Sequence, residues 1–287
     1  MKNIHRSTIT LLLFICITTC AYAQQSLEKS LLWEISGNGL EKSSYLYGTI
    51  HMICEKDFVM PDKAKQAFGK AEQLVIETNI GDPKTQEIMQ KVMLSDTPLS
   101  KKLSQQNYDT VDAVLKKVCG VPLQVFENYK LVMTLVLLAQ KSFSCEQPMS
   151  FEKAFLDMAQ TASKPVGALE GIEEELDYFI KSYTDEEIIS QIKLFDSNKA
   201  EMNRLLFFYK DQNLDSIYRF MTAPNQMDAN TIHWLLEVRN NNWAVRMPEM
   251  MKNKSCFFAI GAAHLVGPMG MIRLLRDKGY TVKPVLN

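Results

Sequence analysis

Two stretches far apart in the chain share one shape: an apolar run, a glycine, two further residues and a histidine. The first is Tyr45-Leu46-Tyr47-Gly48-Thr49-Ile50-His51 and the second is Phe257-Phe258-Ala259-Ile260-Gly261-Ala262-Ala263-His264. Apolar runs without polar alternation suit strands covered on both faces. A glycine lets the chain turn sharply or another group approach closely, and the imidazole then arrives at a strand end. In open α/β sheets ligands collect beyond the carboxyl ends of the strands, so a fold that makes both runs strands of one sheet can bring the two histidines together. One such tetrapeptide arises readily by chance, and a lone histidine is usually a packed or solvated residue. Two in matching contexts point to a metal or catalytic site.

With 287 residues and 46% hydrophobic content, the chain is long enough for one large domain or two small ones and can bury a substantial core. Its 32 basic and 33 acidic residues give a formal charge of -1. The lysines are dispersed among carboxylates, without the basic stripe that a nucleic-acid partner needs. Residues 1–23 read as a secretory leader: Lys2 and Arg6 form the basic start, residues 9–17 are apolar, and Ala21-Tyr22-Ala23 precedes Gln24 as a cleavage site. That run is shorter than the roughly 20 residues of a membrane span, and no later segment qualifies. The mature chain, 24–287, is therefore expected to be exported, periplasmic or secreted, with lipid attachment at Cys20 as the alternative. Outside the leader stand Cys54, Cys119, Cys145 and Cys256. Export permits disulfides, and a bridge from Cys119 to Cys145 is the expected pairing because both flank one predicted helix; four buried thiols are the alternative. No Cys-x-x-Cys spacing supports a zinc knuckle.

Leu31 to Ile35 and Ser44 to Tyr47 flank Gly37-Asn38-Gly39, which predicts a hairpin with an irregular loop. Pro61-Asp62 opens a helix, and Gln73-Leu74-Val75-Ile76-Glu77 is a compact strand with a carboxylate at its end. The middle of the chain is helical: Asp82-Pro83 is a cap, Tyr108, Val111, Leu115 and Val118 keep helical spacing up to Gly120, and residues 131–139 form a buried helix. Ile172, Leu176, Phe179, Ile180 and Tyr183 mark another apolar face, and Thr184 with Glu187 forms a capping box. The acidic run Glu173-Glu174-Glu175 lies opposite that face and reads as solvated helix surface. Phe207, Phe208 and Tyr209 read as helix packing, with a partner surface as the alternative. Lys164 to Glu170 is a short strand ending in a carboxylate, and the C-terminus reads as strand 256–260, helix 267–277, Gly279 and strand 280–285. The pattern predicts an α/β fold with α+β character: a central mixed β-sheet flanked by helices, with a long helical insertion between strand-rich N- and C-terminal parts.

Four predicted strand ends thus present His51, Glu77, Glu170 and His264. Imidazole and carboxylate are the ligand types of zinc, manganese, cobalt and iron, and a carboxylate outside the shell can take a proton from water. Taken singly, each glutamate is more readily a surface or capping group, and its value depends on the histidines. Arg239-Asn240-Asn241-Asn242-Trp243-Ala244 closes the set: Arg239 can hold a substrate carboxylate or an oxyanion, and Asn240 can donate an amide hydrogen bond to the same centre. The bland alternative is a helix-terminal arginine and a packing tryptophan.

Taken in order, Tyr45 to Met52, Leu74 to Asn79, Pro165 to Glu170, Arg239-Asn240-x-x-Trp243-Ala244 and Ala259 to Gly267 resemble the TraB/GumN family, across the chain from about residue 30 to the end. That family is related to the Tiki metalloproteases and more distantly resembles the ChaN and erythromycin esterase folds. The resemblance implies a single TraB/GumN-like domain over 24–287 with the paired histidine motifs at one site. It implies manganese, cobalt or zinc as the divalent metal, and a peptide or protein substrate. His51, His264, Glu77 and Glu170 would be metal ligands, with Glu77 a ligand or general base, and Arg239 and Asn240 would polarise the scissile carbonyl. Three departures from the family pattern stand here: Gly171-Ile172 follows Glu170 where the family often has a small or hydroxyl residue leading into a polar helix, Glu152 stands where an aspartate is expected, and Ser150 replaces a glycine. The expected function is an exported metal-dependent hydrolase, a peptidase; the alternative is a non-catalytic module that binds metal, haem or peptide.

Overall fold

The computed structural model describes residues 27–286 except 144 and 146; the leader at 1–23 and the lipidation alternative at Cys20 lie outside the described residues. Among the described residues eight strands appear in chain order: β1 Leu32–Ser36, β2 Ser44–Thr49, β3 Ile53–Cys54, β4 Gln73–Ile76, β5 Pro148–Met149, β6 Val166–Ala168, β7 Cys256–Gly261 and β8 Thr281–Pro284. Six of them form one mixed sheet in the order β6-β4-β7-β2-β1-β8. Strands β6, β4, β7 and β2 run parallel, and β1 and β8 continue the sheet antiparallel. Every residue of β2 and β7 is buried, as the unbroken apolar runs of both require when helices cover the two faces. The expected hairpin is β1–β2, and its loop carries three consecutive positive φ angles at Gly37, Asn38 and Gly39.

This topology sets the site. Strands β2 and β7 are neighbours in parallel register, Thr49 opposite Gly261, so both Gly-x-x-His segments leave the sheet at the same edge. Strand β4 lies on the other side of β7 and β6 beyond it, which places Glu77 and Glu170 at that edge as well. An aromatic cluster of Tyr47, Phe68, Phe155 and Phe257 packs one face of the sheet, with ring centroids 4.8–5.8 Å apart for the Phe155–Phe257, Tyr47–Phe155, Phe68–Phe257 and Phe68–Phe155 pairs. Each such pair contributes about 0.5–1.5 kcal/mol beyond area burial. Here the pairs tie the helix Phe151–Thr161 to the strand ahead of His51.

The helical insertion has an apolar cluster of its own, built from Val111, Leu115, Leu123, Leu131, Leu138, Ile172, Leu176, Ile188 and Ile192 among others. Gly120 closes the helix Gln105–Cys119 in the left-handed conformation, and the Thr184–Glu187 capping box is present. Among the described residues no helix is long and apolar enough to cross a membrane.

Three expectations are corrected. The disulfide joins Cys54 to Cys145, with Cα atoms 5.7 Å apart, and leaves Cys119 and Cys256 free. The antiparallel pairing of β3 with β5 brings Cys145 to Cys54, whereas Cys119 ends a helix packed in the insertion. The C-terminal helix begins at Met271 rather than 267, because Gly267 adopts φ +93° under the Tyr218 ring and Gly270 lies against the Val266 backbone. The acidic run is not all solvated: Glu174 accepts from both Arg246 and Tyr178, and Glu175 lies 3.6 Å from Arg239. Of the aromatic trio, Tyr209 packs in the core and donates to the Gly48 carbonyl, while Phe207 is exposed.

Candidate functional site

His264 follows β7 on a short 3-10 turn and is buried. Its Nδ1 lies 2.7 Å from Asn240 Oδ1. The Asn240 amide nitrogen donates to the carbonyls of His264 and Met269, which fixes the amide so that its oxygen faces the ring. His264 therefore donates its Nδ1 proton to Asn240 and keeps a lone pair on Nε2. Burial, together with nearby Arg239 and His51, lowers its pKa to about 3 although Glu77 opposes this, so the ring is neutral at ordinary pH.

His51 is arranged in the same manner by a different partner. Its Nδ1 donates to Glu152 Oε1 at 2.9 Å, and Glu152 is held by Thr49 Oγ1 at 2.6 Å and Ser150 Oγ at 2.7 Å. Ser150 also caps the helix that begins at Phe151, so one hydroxyl fixes both the helix start and the carboxylate. Burial raises the Glu152 pKa, but His51, Thr49 and Ser150 together hold it below its usual value. For His51 the crowded recess pulls the pKa down, and Glu152 overcomes this to bring it up to about 9. The side chain is nonetheless 67% exposed, so water weakens both influences.

Near both imidazoles lies the carboxylate of Glu77, the residue that follows β4. Glu77 Oε1 accepts the Gly261 N–H at 2.6 Å and Oε2 accepts from Arg239 at 2.7 Å. Burial works against its charge, yet Arg239, the histidines and the Gly261 amide lower its pKa to about 2. Glu170, from β6, accepts from Arg239 Nε at 2.8 Å through Oε1 and from the Trp243 indole at 3.0 Å through Oε2. Burial pushes its pKa up to about 7 against the pull of Arg239. The donors at both oxygens favour the carboxylate form. Arg239, Asn240 and Trp243 all come from the helix Arg239–Met251, which follows a π-helical turn at His233–Val238. Such turns alter helical register and recur at functional sites.

Gly261 leaves room at the centre. A methyl group on its Cα would meet Glu77 Oε1 at 3.3 Å, His264 Cδ2 at 3.5 Å and His51 Nε2 at 3.6 Å. The fold thus brings together His51, His264, Glu77 and Arg239, with Glu170 and Asn240 directly behind them. Sequence reading missed the roles of Glu152, Thr49 and Ser150. The one available signal was Glu152 standing near a serine cap where the family pattern has other residues.

The TraB/PrgY/gumN family model matches residues 31–284. The chain belongs to the TraB/PrgY/gumN family. It is similar to Metalloprotease TIKI1 of Danio rerio, 24% identical over 90% of this chain and 64% of that protein. It is also similar to Metalloprotease TIKI2 of Xenopus tropicalis, 30% identical over 37% of this chain and 21% of that protein. The chain therefore spans less than two thirds of the length of either relative. No solved structure matches it.

In this TraB/PrgY/gumN chain the two imidazoles are of the donor type that divalent ions accept. Metal-binding histidines usually donate the second ring N–H to a carboxylate or carbonyl, as His51 does to Glu152 and His264 to the Asn240 amide. A metal entering at His51 would displace a proton from Nε2. Among the described residues no three His, Cys, Asp or Glu side chains form a ready metal-holding group. Glu77 has both oxygens engaged, and Arg239 Nη1 lies 3.4 Å from His264 Nε2.

Proposed function

We propose that this protein is an exported metal-dependent hydrolase that cleaves peptides, acting as one domain over 24–287. The observation that carries the reading is the pair of imidazoles from adjacent parallel strand ends, each anchored at Nδ1 and converging over Gly261. The similarity to Tiki metalloproteases supports the reaction class, and the Cys54–Cys145 pairing suits an oxidising compartment.

In this reading His51 and His264 hold the ion, with Glu77 Oε1 as the adjoining donor; manganese, cobalt and zinc all accept such ligands. When bound, the ion supplies Lewis acidity toward a carbonyl and makes water a better nucleophile. Glu152 and Asn240 orient the two imidazoles. Glu77, ionised to about pH 2, supplies fixed negative charge more than proton affinity. Arg239 stabilises a developing oxyanion through Nη1, the guanidinium nitrogen not committed to Glu77 or Glu170. Glu170 holds Arg239 in place and acts through it, and Asn240 acts through His264.

One observation favours a second reading, a non-catalytic metal, haem or peptide-binding module: the Arg239 guanidinium stands where it competes for the His264 lone pair. Glu77→Gln separates the two. A peptidase variant of this kind should lose about 100-fold or more in turnover of a peptide library while peptide affinity stays nearly unchanged, since fixed charge acts on the transition state. Absence of turnover in the wild type with metal-dependent peptide binding would favour the second reading.

A further inference from the structure

His51 and Glu152 are contributed by distant parts of the chain, and a short bridge links the segments that carry them. Immediately past His51, β3 pairs with β5 through Ile53–Met149 and Cys54–Pro148. A ladder this short is not stable by itself, and Pro148 brings no N–H to it. The Cys54–Cys145 disulfide crosses the same point, joining positions 91 residues apart. Cys54 follows His51 by three residues, and Cys145 precedes Ser150, the hydroxyl partner of Glu152, by five. The start of the Glu152 helix has its own anchor, because Phe151 packs on Phe58, Tyr47 and Tyr209. The His51 side chain, by contrast, is 67% exposed.

We propose that the Cys54–Cys145 disulfide is a positioning clasp that seats His51 on Glu152, so that the thiol–disulfide state of this pair sets whether the two imidazoles are assembled. The inference rests on the reading of His51 as a site residue. Opening the clasp takes a dithiol such as dithiothreitol. The Cys54–Cys145 S–S bond breaks, two electrons and two protons pass from the reagent, two cysteine thiols form, and the reagent closes to its cyclic disulfide.

The test compares the oxidised wild type with Cys54→Ser/Cys145→Ser, first by hydrogen exchange on metal-free protein. Amides at 50–54 and 149–152 are expected to exchange at least about tenfold faster in the variant, while those of β7 keep their protection. Unchanged exchange at 50–54 would overturn the proposal. So would a loss of protection that extends through β7, since the disulfide would then be a staple of the whole fold. A cobalt(II) titration adds a cycle with Glu152→Gln. Removing the cysteine pair should weaken binding by about fivefold or more when Glu152 is present and by less than about twofold when it is not, because the clasp acts through that contact. Equal weakening in both backgrounds would show that it acts elsewhere. If the oxidised wild type binds no cobalt, the metal reading fails and the exchange comparison alone decides the clasp.

Discussion

Arg239 is where the buried charge of the site balances. Its guanidinium meets Glu77 and Glu170 inside the protein, with all three side chains at most 7% exposed. Removing it leaves two carboxylates without their cation, and breaking a buried ion pair in this way costs about 3–5 kcal/mol. Arg239→Met is expected to lower the unfolding free energy by that amount in urea denaturation. Lys210→Met, at the more open Lys210–Asp57 pair, should change it by less than about 1 kcal/mol. Acid acts on the same group of residues. Unfolded His264 takes a proton below pH 6.5 that the folded protein refuses down to about 3, and unfolded Glu77 takes one below 4.5 that the folded protein refuses down to about 2. In both cases the unfolded state binds more protons, so the stability from these groups is complete above pH 6.5 and falls with pH. Glu170, pushed up to about 7 by burial, takes its proton first in the folded protein and offsets His264 between pH 7 and 4.5. Stability should therefore decline most clearly from pH 4.5 to pH 3, and His264→Gln should lessen that decline. His51 works in the opposite sense, contributing below pH 6.5 and losing that contribution as pH rises through about 9, and its exposure keeps the effect small. His51, His264, Glu77 and Glu170 follow strand ends as the sequence predicts, whereas Arg239, expected at the end of a helix, opens the helix Arg239–Met251 and continues the helical run before it. Glu152 was not legible in the sequence, because its role depends on packing between segments about a hundred residues apart, as its contacts with Thr49 and His51 record.

The elements themselves were read from two kinds of pattern. Continuous apolar runs marked β2 and β7, and caps and periodic faces marked the long helices, because each is a local consequence of burial or of unpaired backbone groups. The order of the strands was not legible: nothing local states that β4 inserts beside β7 or that β3 meets β5 and carries Cys54 to Cys145. The π-helical turn at His233–Val238 also has no local signature, although the helix that follows it delivers Arg239 and Asn240. The Gly-x-x-His element gives a direct prediction. Gly261 has φ -52°, which any residue adopts, so a side chain there is limited by space alone. Gly261→Ala is expected to fold with a stability change within about 1–3 kcal/mol, the range for modest overpacking. The variant should lose hydrolysis, because the methyl group occupies the point shared by Glu77, His264 and His51. Thermal denaturation beside a peptide-cleavage assay checks it, and an active Gly261→Ala protein would count against that point as the reaction centre.

Across the whole molecule, the apolar core around the sheet holds the strand ends in register, and the insertion adds a second apolar cluster whose helix Ile172–Lys181 brings Glu175 toward Arg239. The expected mixed sheet with a helical insertion is what the chain forms, because the alternation of fully apolar strands and amphipathic helices admits few other layered packings. The central claim is that this scaffold assembles His51 and His264 as a metal-binding pair. The measurement that tests it most directly is elemental analysis of protein purified without a histidine tag or chelator, beside a His51→Ala/His264→Ala variant shown to be folded. Manganese, cobalt or zinc is expected at about one ion per chain in the wild type, taken up again after chelation, and absent from the variant. Wild-type protein that neither contains nor takes up a divalent ion, or a variant that binds it equally well, would contradict the account.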